Sequence, residues 1–233
     1  MSPTTPPEEP RLPIEKRIAD VRDLVHGAVR TAGRKPDSVQ IIAVSKTRTA
    51  DEVRAAADAG LTHFGENYLQ DALQKIQSLQ DLDAAWHFIG RIQSNKTREI
   101  ARWFDWVHTV DRLKVAQRLS EQREGAPLNV LLQVNIDGDA AKGGIQAEAL
   151  PELADQVAEL PNLRLRGLMC ILAQDTDPDA GYARMKALFD AQDRGADWDS
   201  LSMGMSGDYE HAIRQGATLV RIGTAIFGPR NLK

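Results

Sequence analysis

A chain of 233 residues with 42% hydrophobic and 27% charged residues has the length and composition of one large α/β domain or two small ones. Its net charge of −4 argues against a nucleic-acid surface or an anionic membrane as partner, while leaving room for a local anion pocket. No apolar run reaches the roughly eighteen residues of a membrane helix, and the opening "MSPTTPPEEPRLP" lacks the basic-then-apolar order of a signal peptide.

In chain order, residues 1–10 read as a short disordered tail because they are rich in proline and acid. Residues 11–233 show no internal linker or shift in composition and read as a single domain. Ile14, Ile18, Val21, Leu24, Val25 and Val29 recur at helical spacing up to Gly33, which predicts an N-terminal helix. From residue 40 onward, short β-branched segments alternate with longer amphipathic ones. Strands are expected at 40–46, 62–67, 85–90, 106–111, 129–136, 163–172, 200–206 and 218–228. Between them, stretches such as "ADEVRAAADAG", "YLQDALQKIQSL" and "LPELADQVAEL" carry the helical pattern, and several end on Gly or run into Asn or Pro.

Eight nearly continuous apolar strands separated by helices predict an α/β fold. It is a parallel sheet closed into a single (β/α)8 TIM-type barrel, preceded by the extra N-terminal helix. A doubly wound open sheet competes, but the first turn, "SKTRTAD", lacks that architecture's glycine-rich fingerprint. The lone Cys170 excludes an intramolecular disulfide and fits a reducing, cytoplasmic setting. Within "LRLRGLMCILA" it reads as a small buried apolar residue, not a reactive thiol.

In such a barrel the chemistry gathers at the carboxyl ends of the strands. Lys46 closes the apolar run "IIAVSK"; most strand-end lysines snorkel to solvent, but one at an apolar barrel mouth is desolvated toward its nucleophilic neutral form. "SMGMSGDYEHAI" and "VRIGTAIFG" place Ser206, Gly207, Gly223 and Thr224 in the turns after strands seven and eight, where barrels commonly bind phosphate. The plain alternative is that these glycines only turn the chain and that Ser206 or Asp208 caps a helix. Strand one pairs with strand eight in a closed barrel, so an amine and a phosphate cradle become neighbours. A phosphorylated aldehyde would satisfy both, and pyridoxal 5′-phosphate (PLP) is the obvious candidate.

"AVSKT", "FGENY", "WHFIGRIQSNK", "SMGMSGDYEHAI" and "VRIGTAIFG", in this order and spacing, resemble the pyridoxal phosphate homeostasis proteins from about residue 14 to 230. The resemblance implies a barrel like the N-terminal cofactor domain of alanine racemase, with an internal aldimine on Lys46. It implies phosphate contacts from Ser206, Gly207, Gly223 and Thr224, cofactor-ring contacts from Asn67 and His87, and Met203 packed nearby. Arg221 matches an arginine close to the cofactor, at either its pyridine nitrogen or its phosphate. No metal is implied.

Other rim residues have plainer readings. Glu66 and Tyr68 are equally supporting groups behind the site or a helix start, and His108 and Asp111 satisfy local hydrogen bonds. Ser94 is expected to cap a helix with Asn95 and Lys96 in its first turn. Lys142 in "DGDAAKGG" reads first as a solvated loop charge and second as an amine that could receive the aldehyde.

The expected function is to hold PLP and take part in its intracellular homeostasis and delivery, as a monomer without robust catalysis. Apo-enzymes are candidate recipients; nucleic acid and membrane are not expected partners. The alternative is a PLP-dependent amino-acid racemase or decarboxylase, with weak racemase activity as its mildest form. It is disfavoured because the chain stops just after the eighth strand, before any further domain that could supply an opposing acid–base group. A third reading gives Lys46 an aldolase-like role toward some other phosphorylated metabolite.

Overall fold

The computed structural model describes residues 12–139, 142–192 and 194–229. The tail expected at 1–10 lies outside these residues.

Helix α1 (Ile14–Thr31) comes first, and its apolar stripe buries Ile18, Val21, Val25 and Val29. Then follow β1 (Gln40–Val44), α2 (Ala50–Asp58), β2 (His63–Glu66), α3 (Leu69–Ser78), β3 (Ala85–Phe88), α4 (Thr97–Trp103) and β4 (Trp106–Val110). The second half contains α5 (Leu113–Gln122), β5 (Leu128–Gln133), α6 (Leu150–Ala158), β6 (Leu163–Met169), α7 (Pro178–Asp190), β7 (Ser200–Met205), α8 (Tyr209–Arg214), β8 (Leu219–Ile222) and α9 (Thr224–Phe227). The eight strands are parallel and close into a barrel in sequence order, sealed where Ile42 of β1 stands opposite Arg221 of β8.

Two apolar layers hold this closure. Ile42, Leu131, Met169 and Leu219 fill the barrel interior, and a larger layer including Phe64, Val107, Leu132, Leu168 and Val220 lies between sheet and helices. Each such fully buried side chain contributes about 1.5–3 kcal/mol relative to exposure. Helix α1 packs on α8 and α9, the last helices of the ring, so the N-terminal segment covers the seam of the barrel. No helix among the described residues is long and apolar enough to cross a membrane.

The structure shortens several expected strands, two of them most clearly. The run expected at 218–228 pairs only over Leu219–Ile222; Gly223 then turns the chain and "TAIF" forms the one-turn helix α9, burying Ile226 and Phe227. The run expected at 163–172 ends at Met169, and the chain continues outside the strand through buried Cys170 and half-buried Ile171 to buried Leu172. An apolar run alone does not distinguish a strand from the buried coil or helix that extends it. Ser94 is likewise no side-chain cap: it opens a 3-10 turn, Ser94–Lys96, and its carbonyl accepts a 3.1 Å bond from Thr97 Oγ1.

One glycine is required by close approach. A Cβ at Gly90, just after β3, would lie 2.0 Å from the Asn67 carbonyl oxygen, so only glycine lets these two strand ends meet.

Candidate binding site at the carboxyl end of the barrel

Beyond Ile42, the inward parity of β1 continues through Val44 to Lys46, two residues past the strand. There the barrel opens into a pocket of about 300 Å3. Its apolar walls are Val44, Ile89, Ile171 and Met205, and its polar groups are Lys46, Asn67, Arg221, Ser206, Gly207, Gly223 and Thr224. A larger hollow of about 500 Å3 lies between α4 and α5, lined by Arg98, Arg102 and Glu121; it is remote from the strand ends and collects none of these groups.

Half-buried Lys46 stands in a tightly held segment. Before it, buried Ser45 donates from Oγ to Glu66 Oε1 at 2.6 Å, and its carbonyl accepts from Lys75 Nζ at 2.8 Å. After it, Thr47 adopts φ +64° and its N–H donates to Asp71 Oδ2 at 3.2 Å. Lys75 Nζ lies 2.5 Å from Glu66 Oε1 and 3.0 Å from Asp71 Oδ2, which ties β2 and α3 to the flanks of Lys46. Burial pushes the Glu66 carboxyl above its ordinary range, and Lys75 and Ser45 pull it back. Glu66 is therefore the supporting group of its two sequence readings, whereas exposed Tyr68 is the residue that precedes α3. The sequence reading missed Lys75: in "LQDALQKIQS" it looks like a solvent lysine paired with Asp71, and only the fold brings it to Glu66.

The pocket floor is Arg221, 4% exposed. It donates to Ser202 Oγ at 2.7 Å and to the Cys170 carbonyl at 2.9 Å. Below Ser202 runs a column of imidazoles: His108 Nδ1 is 2.9 Å from Ser202 Oγ, His87 Nδ1 is 2.9 Å from His108 Nε2, and His63 Nδ1 is 2.9 Å from His87 Nε2. His87, expected at the cofactor ring, lies within this column, fully buried and stacked on Trp106 at 5.5 Å. Its strand must advance two more residues, to Ile89, before a side chain reaches the pocket. His108 does satisfy internal hydrogen bonds, as does Asp111, whose Oδ1 accepts from Arg112 at 2.5 Å. Burial holds His87 and His108 well below the ordinary imidazole pKa, with further depression of His87 by the imidazoles of His108 and His63 and of His108 by Arg221.

Met203 also lies away from the pocket. It belongs to the layer between sheet and helices, fully buried. The β7–β8 register shifts between Ser202 and Met205, where Gly204 adopts φ +91°, so the side-chain alternation restarts and Met205 reaches the pocket instead. Cys170 is buried and its thiol is pushed up to about 12 by burial, which makes it chemically inert. Lys142 donates through Nζ to the carbonyls of Ile171 and Leu172, so it sits beside a wall of the pocket as a backbone clasp.

The remaining rim consists of Ser206, Gly207 and Thr224, all exposed. Asp208 braces this turn, accepting from Met205 N–H at 2.6 Å through Oδ1 and from the Tyr182 hydroxyl at 2.8 Å through Oδ2. Helices α8 and α9 have six and four residues, so their dipoles add little, and any anion here must rely on turn N–H groups and hydroxyls. Gly207 neither adopts positive φ nor packs against anything: a Cβ there would meet no protein atom within 4 Å. Asn67 Oδ1 is buried without a partner. A glycine that the protein does not itself require and a buried acceptor left open are both what a bound small molecule would complete. The residues therefore fit a phosphorylated aromatic aldehyde of pyridoxal phosphate size. No cluster suited to a metal ion occurs among the described residues.

A closed parallel barrel whose first strand delivers a lysine to a glycine- and hydroxyl-rimmed pocket over an arginine is of the alanine racemase N-terminal class, and the model of that domain family matches residues 22–231. The chain is 56% identical over 223 residues to a pyridoxal phosphate homeostasis protein of Pseudomonas aeruginosa, covering 94% of this chain and 96% of that one. PipY of Synechococcus elongatus, solved with PLP bound, superposes with a TM-score of 0.80 at 35% identity, covering 92% of this chain and 100% of that one. An alanine racemase of Clostridium difficile shares the fold at 14% identity and TM-score 0.65, with 91% of this chain matched to 57% of the enzyme. The chain belongs to the pyridoxal phosphate homeostasis family within the alanine racemase N-terminal-domain class.

Proposed function

We propose that the chain binds PLP, with Lys46 as the amine facing its aldehyde and Ser206, Gly207, Gly223 and Thr224 around its phosphate. It serves PLP homeostasis by holding and delivering the cofactor. The observation that carries this reading is convergence: a primary amine, a glycine and hydroxyl rim and a guanidinium floor line one pocket of about 300 Å3. When bound, the cofactor supplies an electrophilic aldehyde and a ring that can take up electron density.

The protein's own part is positional. The Glu66–Lys75–Asp71 group fixes the segment that carries the Lys46 amine, and the apolar walls limit water around it. Asn67 offers its open acceptor at the ring, and Met205 takes the place expected of Met203. Arg221 is anchored to Ser202 and Cys170 at the floor while the hydroxyls stand at the rim, which favours the ring nitrogen over the phosphate as its partner. A permanently charged donor there leaves the nitrogen unprotonated and weakens the ring as an electron sink, which suits holding better than carbanion chemistry.

Turnover is disfavoured for a second reason. Among the described residues lining the pocket, Lys46 is the one amine, Arg221 being a permanent cation, and racemisation needs a second acid–base group on the opposite side of the ring. The same reading treats residues 11–233 as one PLP-binding domain, a cytoplasmic monomer whose recipients are apo-enzymes rather than nucleic acid or membrane.

Borohydride reduction of cofactor-loaded protein followed by peptide mapping tests the assignment. A phosphopyridoxyl mass on Lys46, absent from Lys46→Ala, is expected. Its appearance only on another lysine, Lys142 included, overturns the role of Lys46. Sustained racemisation or carbon dioxide release from amino acids, above the level of Lys46→Ala, overturns the carrier reading.

A further inference from the structure

The column beneath Arg221 is a large hydrogen-bonded feature that the binding reading does not use. Its links have a direction that can be worked out from donors and acceptors. An arginine has donors only, so Ser202 Oγ accepts from Nη1. The Ser202 hydroxyl proton must then go somewhere, and among the described residues the one other partner of this oxygen is His108 Nδ1. If Nδ1 is the acceptor, His108 carries its proton on Nε2 and donates to His87 Nδ1; His87 in turn donates from Nε2 to His63 Nδ1. Every fully buried group of the column is then satisfied, and the Nε2–H of half-buried His63 stands at the end of the chain. The reverse direction would leave the Ser202 proton buried without an acceptor, at fully buried Ser202.

We propose that Ser202, His108, His87 and His63 are positioning residues for Arg221: a one-way hydrogen-bond chain, with all three imidazoles held as uncharged Nε2–H tautomers, that fixes the guanidinium at the pocket floor. The Cys170 carbonyl supplies the second fixed point, and the two bonds leave the rest of the arginine's five donors for whatever occupies the pocket. The chain crosses the barrel from the pocket to His63, the half-buried first residue of β2. The protein thus holds the cation it offers a ligand with neutral groups, and among the described residues no carboxylate hydrogen-bonds to Arg221. The depressed basicity of His87 and His108 agrees with uncharged rings. That Arg221 then meets the ring nitrogen of PLP rests on the binding reading above; the direction of the chain does not.

Long-range proton–nitrogen NMR on the uniformly nitrogen-15-labelled apoprotein reads each tautomer. His63, His87 and His108 are expected as Nε2–H forms, and a dominant Nδ1–H form at His87 or His108 overturns the proposal. In Ser202→Ala, His108 and His87 should become tautomer mixtures and the Arg221 Nε–H resonance should broaden. The PLP dissociation constant should rise about tenfold, the scale of one charge-assisted hydrogen bond. Ser202→Thr, which keeps the hydroxyl, should restore all three readouts. Should Ser202→Ala fail to fold, His63→Ala at the half-buried end is expected to release the His87 tautomer. Unchanged tautomers and an unchanged Arg221 resonance in these variants refute the chain. Wild-type protein that shows the ordered tautomers but binds no PLP refutes the binding reading and leaves the chain standing.

Discussion

On the β1 side of the pocket, Lys46 is flanked by backbone tied into a buried ion group, with Lys75 4% and Glu66 0% exposed. On the β7–β8 side, Ser206, Gly207 and Thr224 are exposed, and the turn is braced from behind by Asp208, itself held by Tyr182. In the proposed binding role, the first wall would place one atom, the Lys46 nitrogen, for a directional contact with the cofactor's aldehyde. In the same role the second would present a set of N–H and hydroxyl groups to a freely rotating anion, which tolerates imprecision. Rigidity has been put where geometry matters, and the two walls should respond to mutation in opposite ways: the first through stability, the second through binding alone.

The largest effect is expected at Lys75. Lys75→Ala leaves the Glu66 carboxylate buried without its cation and should destabilise the protein by about 3–5 kcal/mol. Denaturant unfolding measures this. Lys75→Met combined with Glu66→Gln should recover much of the loss, because no unpaired charge then remains. A single-variant loss below about 1 kcal/mol would mean that the β1 wall is no more rigid than the rim.

Acid provides the next test, through the column that holds the floor. His87 and His108 have folded-state pKa values below their ordinary value near 6.5, so below that pH the unfolded chain binds protons that the folded chain refuses. Stability is therefore full above about pH 6.5 and falls as pH drops toward the depressed folded values. One unit below the unfolded value each histidine removes about 1.4 kcal/mol. Glu66 acts with the opposite sign, since its raised folded pKa relieves a burial penalty as it protonates, so the net slope is shallower than two histidines alone would give. Thermal unfolding between pH 7.5 and pH 5 measures the sum, and the same scan on Glu66→Gln isolates the histidines; a flat profile in Glu66→Gln would mean that the column is not held neutral.

What the sequence made legible follows the same division. The barrel was readable because β-branched runs and helical periods alternate so regularly; Lys46, Asn67 and Arg221 were readable because β1, β2 and β8 keep simple parity up to the mouth, and the two rim turns because glycine and hydroxyl residues follow an apolar strand whatever its parity. Parity failed at Met203, where the irregularity at Gly204 reverses the alternation, and at His87, whose layer within the interior depends on strand stagger that no single sequence displays. Lys75 was hidden for a different reason. Its partner Glu66 lies on another element, and a helix lysine four residues after an aspartate looks like any exposed pair. The short helix α9 was mistaken for strand because "TAIF" is apolar on both templates.

The smallest effect on the fold, and the sharpest probe of the second wall, is Gly207→Ala. The residue does not adopt positive φ and the added methyl meets no protein atom within 4 Å, so nothing in the folded chain resists it. The substitution also narrows the unfolded ensemble, so stability should be unchanged or rise by about 0.4–1 kcal/mol. A ligand is different, because a phosphate oxygen pressed against the turn would collide with that methyl. Affinity for PLP should therefore fall about tenfold while affinity for pyridoxal, which lacks the phosphate, stays level, the scale of one lost charged hydrogen bond. Titration of both ligands by absorbance separates the outcomes. Equal losses for both would mean that the methyl disturbs the whole pocket. No loss for either would place the anion away from this turn and leave Gly223 and Thr224 to hold it, reducing the open wall to half of its present extent.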